Sequence, residues 1–223
     1  MYTAVFLSPD SAPETPATLP LPRGRHAAPR EVVWRSQRGR MLAAMATVVA
    51  EKGYASATVA DVIARAGVSR KTFYEQFENK EACFFAAYDA GVEAMLAALD
   101  EAIRGAAADG PLGIARAGTA RYLSTLAANP TFARTFLVEV PAAGPRALER
   151  RMRVHERFAD QLATVRRAAS GCAAGLRSEP WLLRACVGAI HELVTDHVVR
   201  RGPETLRELL DPIVEIERAL LID

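Results

Sequence analysis

Cysteine is scarce in this chain. Cys83, Cys172 and Cys186 are three, odd in number and widely spaced. They form no C-x-x-C pair and no disulfide framework, a usage that fits a reducing cytoplasm. Lysine is as rare: Lys52, Lys71 and Lys80 all fall in the first third. No apolar run approaches the ~20 residues that span a bilayer, so no membrane partner is expected. Met1 to Leu7 is only briefly apolar and lacks a basic leader, which argues against a secretory signal. Strand-like alternation is missing throughout, which leaves an all-α fold.

The patterns of catalysis are missing too. His191-Glu192 begins like H-E-x-x-H, but position 195 is Thr and the second zinc-binding histidine is absent. His197 lies six residues from His191 and therefore off its face. There is no G-x-S-x-G, phosphate loop or dinucleotide fingerprint. No enzyme activity, metal or cofactor is expected, and His155 reads as an exposed helix residue.

What remains is a chain of 223 residues, 50% hydrophobic and 24% charged, enough for one large or two small cores. Its charge is unevenly placed. From Arg23 to Lys71 there are ten Lys and Arg against three acidic residues, whereas residues 81–223 hold 17 basic and 19 acidic. A basic first third suits a polyanion, and the remainder needs another task.

The stretch from Thr58 to Lys80 supplies the detail. Thr58 is a good N-cap, and Asp61 three residues later completes a capping-box pattern. Val59, Val62, Ile63 and Ala66 share one helical face. Gly67 can take the positive φ that ends this helix. Ser69 caps a second helix that buries Phe73 and Phe77, and Asn79 caps a third that opens with Lys80 and Glu81. Two short helices around a Gly-containing turn form a helix-turn-helix. The second exposes Arg70, Lys71, Thr72, Tyr74 and Gln76, groups that bond phosphates and base edges.

The set Gly53-Tyr54, Thr58 to Ala64, Ala66 to Ser69, Thr72 to Tyr74, Phe77 and Asn79 to Glu81 resembles the DNA-binding domain of the TetR (tetracycline repressor) family. The resemblance covers Met41 to about Gly91. It implies a double-stranded DNA operator as partner, with the helix capped by Ser69 as recognition helix. It implies that Thr72 and Tyr74 meet phosphates and nearby bases. Arg70, Lys71 and Gln76 are then candidates for base edges. Thr58 and Lys80 open helices whose N-termini favour phosphate.

Residues 1–29 are Pro-rich and partly basic, with no period and too little apolar surface to order themselves. Arg23 and Arg25 there belong either to a solvated tail or to an arm entering the minor groove. Residues 30–80 form the expected DNA-binding domain, and 81–223 a ligand-binding and dimerisation domain. Helices are expected from Lys80 to about Arg104, Leu112 to Ala128, Asn129 to about Val140, Arg146 to about Ala169, Pro180 to Arg201, and in a last stretch after Pro203. Either Asp211-Pro212 begins that last helix afresh or Pro212 kinks it.

By the same resemblance, a small-molecule effector occupies a cavity among these helices. Tyr88, Met95, Tyr122, Phe132, Phe136 and Phe158 are its candidate lining. Glu139, in an otherwise apolar run, either reaches solvent or offers the cavity a polar group. The helix from Trp181 to Val199 is apolar nearly all round and needs cover on more than one face. A homodimer would supply it, through Trp181, Val187, Ile190, Val194, Leu206, Leu209, Ile213, Ile216 and Leu220. The expected function is a regulator, a repressor by that resemblance, released from a palindromic operator by a lipophilic ligand. The alternative is a DNA-bound regulator that senses no small molecule.

Overall fold

A computed structural model describes residues 30–169 and 179–222. Arg23, Arg25 and residues 170–178 lie outside the described residues. Among the described residues there is no strand. The helices are α1 (Arg30–Lys52), α2 (Val59–Ala66), α3 (Arg70–Gln76), α4 (Lys80–Gly105), α5 (Gly110–Ala128), α6 (Pro130–Ala133), α7 (Pro145–Ala169), α8 (Pro180–Arg201) and α9 (Leu210–Glu217). α6 does not run as one α-helix to Val140. It widens into a π-turn over Arg134–Val138 and closes as a 3-10 turn over Val140–Ala143.

The caps explain where the first helices start and stop. The Thr58 hydroxyl accepts the Asp61 N–H, and the Asp61 carboxylate accepts the Thr58 N–H at 3.0 Å. Lys52 bonds the same carboxylate at 2.6 Å. Lys52, and then Thr58, hold the Asp61 carboxyl down to about 2. Gly67 ends α2 at φ 61°, in the left-handed region. Ser69 Oγ accepts the Thr72 N–H and Asn79 Oδ1 the Ala82 N–H, which begin α3 and α4.

One core runs from α1 through α4 to α9. Met41, Met45 and Val49 of α1 are fully buried with Phe73 of α3, Phe84 of α4, Leu206 and Ile213. Burying a side chain of this size contributes roughly 1.5–3 kcal/mol. Contrary to the expectation that no apolar run approaches a bilayer span, α4 is long and apolar enough to cross a membrane. Eleven of its residues are instead buried in this core. Gly91 of α4 is needed for that packing, because a Cβ there would overlap the Phe132 ring. α7 lies along α4 through three ion pairs: Arg146–Glu81, Arg150–Asp89 and Arg157–Glu93.

Of the two alternatives for Pro212, a fresh helix is the one observed, though Asp211 is not its cap. Gly202 and Pro203 end α8, a 3-10 segment spans Pro203–Leu209, and α9 starts at Leu210. Pro212 falls in the first turn of α9, where its missing N–H has no partner to lose.

Candidate nucleic-acid interface and effector cavity

α3 buries Phe73 and projects its polar residues away from the core. Arg70, Lys71 and Tyr74 are exposed. The Arg70 guanidinium lies 5.5 Å from the Tyr74 ring centroid, and among the described residues Lys71 pairs with Glu75, at 3.9 Å. Thr72 is half-buried, and its hydroxyl shares a 2.9 Å hydrogen bond with Ser69. Arg70, Lys71 and Tyr74 thus leave two cationic groups and a phenol open to solvent on α3.

Three expected DNA contacts are otherwise engaged. Gln76 turns back toward α1, where its Nε2 donates to the Trp34 carbonyl at 3.3 Å, and its Oε1 is buried without a partner. It therefore ties α3 to α1 rather than facing outward. Lys80 Nζ donates to the carbonyls of Tyr54 and Ala57 at 2.9 and 3.0 Å and lies over the Tyr54 ring. One of its three N–H groups remains for a phosphate. The hydroxyl of Thr58 is consumed by its capping box, leaving the N-terminus of α2 rather than the side chain to face an anion.

A cavity of about 120 Å³ lies among α4, α5, α7, α8 and α9. Tyr88, Met95, Tyr122, Phe132, Phe136 and Phe158 all line it, and it draws Val187 and Ile190 as well. Those two were expected at a dimer surface and face inward instead. Glu139 does not line the cavity. Its Oε2 accepts the Tyr54 N–H at 2.9 Å, so the carboxylate neither reaches for a ligand nor stands free in solvent.

The polar residues of the wall went unseen in the sequence. Glu217 is 3% exposed and accepts the Thr119 hydroxyl at 2.9 Å. Burial pushes its carboxyl up to about 7. His155 is not an exposed helix residue: its ring meets His191 at 4.6 Å between centroids, and both line the cavity. Burial, then His155 and Arg151, push His191 down to about 4. Gln161 Nε2 donates to Leu96 O and Asp100, while its Oε1 is a bare buried acceptor. The signal for α7 was present as Val154, His155, Phe158, Gln161 and Leu162, one stripe at helical spacing.

The remaining dimer candidates divide. Val194, Leu206 and Ile213 are at most 0% exposed and belong to the chain's own core. Leu209, Ile216 and Leu220 are half-buried. On α8 the exposed apolar residues are Trp181, Leu193 and Val199.

With this geometry established, comparison with known proteins is decisive for the first domain. Residues 41–87 match the model of bacterial regulatory proteins of the tetR family. Residues 41–87 therefore form a domain of the tetR family. No curated protein matches its sequence. Its fold is shared with FadR of Bacillus subtilis, solved in complex with stearoyl-CoA, at 22% identity, 79% coverage of this chain and 95% of that one, and TM-score 0.67. The fatty acid degradation regulator FadR of Bacillus halodurans is similar at 21% identity, 81% and 93% coverage, and TM-score 0.65. A transcriptional regulator of Rhodococcus sp. Rha1 is similar at 24% identity, 82% and 97% coverage, and TM-score 0.65.

Proposed function

We propose that this chain is a TetR-family transcriptional regulator whose homodimer represses transcription from a palindromic operator and is released by a small lipophilic ligand. One observation carries the reading. A file of aromatic rings links the DNA-binding helices to the cavity: Tyr54 meets Phe84 at 4.8 Å, Phe84 meets Phe136 at 5.6 Å, and Phe136 meets Tyr88 at 5.4 Å. Tyr54 sits in the turn before α2, whereas Phe136 and Tyr88 line the cavity. A ligand that displaces these two rings presses on the elements that set the recognition helix. Cores are close-packed and transmit such displacement. Release requires that the ligand bind the DNA-incompetent state more tightly, and about 1.4 kcal/mol of difference gives a tenfold effect.

The cavity favours this reading over a regulator that senses no small molecule, since a solid core would have served that alternative. We place the dimer surface on the side of α8 that carries the exposed Trp181 and Val199, with the half-buried Leu209, Ile216 and Leu220. Two recognition helices then meet two half-sites. The stearoyl-CoA complex of the Bacillus subtilis protein makes acyl-bearing compounds the first class to test.

The experiment is footprinting on the DNA flanking the coding region, followed by titration of lipophilic compounds against the protected site. A two-fold symmetric footprint, weakened by compounds that also raise the melting temperature, is expected. Stabilising compounds that leave DNA affinity unchanged would refute release by ligand.

A further inference from the structure

The cavity wall is asymmetric in charge. The α5 and α9 side offers Thr119 and Glu217, joined to each other. The α7 and α8 side offers the His155–His191 pair, and neither imidazole has a hydrogen-bond partner among the described residues. Arg151 precedes His155 by four residues on α7 and so lies on the same face of that helix. It is half-buried and has no ion pair among the described residues. Its neighbours differ: Arg146, Arg150 and Arg157 are each spent on a carboxylate of α4.

We propose that the Arg151–His155–His191 cluster receives the carboxylate of an amphiphilic effector whose hydrocarbon body fills the aromatic cavity. This rests on the reading that the cavity takes a ligand, and it names that ligand's chemistry. Beside the larger effect of burial, the Arg151 charge pushes both imidazoles down. The two imidazoles line the cavity, and the half-buried Arg151 stands one helical turn from His155 at the margin of that lining. A flat anion with two acceptor oxygens completes that set, because a guanidinium fork matches a carboxylate in a bidentate pair. Glu217 is the opposing acid, and its raised pKa keeps much of it neutral near pH 7. The cavity volume of about 120 Å³ is near that of an engineered cavity of about 150 Å³ that holds benzene. A monocarboxylic acid of short or medium chain fits that scale better than a nucleotide-bearing thioester does.

The test is calorimetric titration of the full chain with hexanoate, octanoate, 1-hexanol, 1-octanol and octanoyl-CoA. The acids should bind about tenfold or more tightly than the alcohols of equal length. Arg151→Gln should erase this preference while leaving alcohol binding intact. His191→Asn, as a second variant, should weaken the acids selectively. Melting curves taken beside each variant show that it folds. Equal affinity for acid and alcohol would overturn the anion site and leave the cavity reading standing. Octanoyl-CoA binding without octanoate binding would also overturn it. If none of the five binds, both readings fall together.

Discussion

The Glu139 carboxylate accepts the backbone N–H of Tyr54 at 2.9 Å, across 85 residues of sequence. Glu139 follows the π-turn that carries Phe136 and Leu137 into the cavity wall. Tyr54 belongs to the turn between α1 and α2. Within the same segment, the Thr135 hydroxyl donates to the Ala46 carbonyl of α1 at 2.7 Å. Residues 134–139 therefore touch the cavity on one side and the DNA-binding helices on the other.

Removing this tie should loosen the communication. Glu139→Ala leaves the part-buried Tyr54 N–H without its partner, which costs about 1–3 kcal/mol. The melting temperature should drop, and a cavity ligand should change operator affinity by a smaller factor than in the unaltered protein. The measurement is the ratio of operator Kd with and without octanoate, for both proteins. An unchanged ratio would mean that the signal travels by α4 alone.

On DNA, Lys71 and Gln76 should separate. Lys71 projects freely, with its side chain 86% exposed. Lys71→Ala should relax preference at one position in each half-site, at a cost of roughly 1–3 kcal/mol. Gln76 bonds the Trp34 carbonyl, so Gln76→Ala should loosen α1 against α3 and weaken every operator variant alike. Binding to a panel of single-base operator variants distinguishes the two patterns. A position-specific effect of Gln76→Ala would place its amide on a base edge after all.

The sequence carried α2, α3 and α4 to their caps. Thr58, Gly67, Ser69 and Asn79 act locally, through their own φ or through the N–H group three residues on. Local chemistry of this kind is written in short windows. The bonds of Gln76, Lys80 and Glu139 join partners 42, 26 and 85 residues away, which no short window contains. The same holds for the cavity. Its aromatic lining followed from helix periodicity, but the pairing of His155 with His191 depends on how α7 meets α8, which periodicity does not contain.

Assembly offers a contrast between two aliphatic residues. Ile213 is 0% exposed within the chain, and Val199 is 63% exposed. Val199→Asp should give folded monomers with weakened operator binding, seen by sedimentation and titration. Ile213→Asp should instead destabilise the chain itself, because an unpaired carboxylate in a core is strongly disfavoured. A soluble dimer from Val199→Asp that still binds DNA would move the interface off this face of α8.

Glu217 makes stability depend on pH. Burial raises its carboxyl from 4.5 to about 7 in the folded chain, despite the hydrogen bond from Thr119. A group raised in this way favours folding while protonated. Its contribution is full below about 4.5 and is lost as pH rises through about 7, at up to about 1.4 kcal/mol per pH unit. Urea titrations of the unaltered protein between pH 5 and pH 8 should therefore show declining stability from this group. Glu217→Gln keeps a carbonyl oxygen for Thr119 but cannot ionise, so its profile should be flatter over the same range. Parallel profiles for the two proteins would mean that Glu217 is solvated well enough to ionise without penalty.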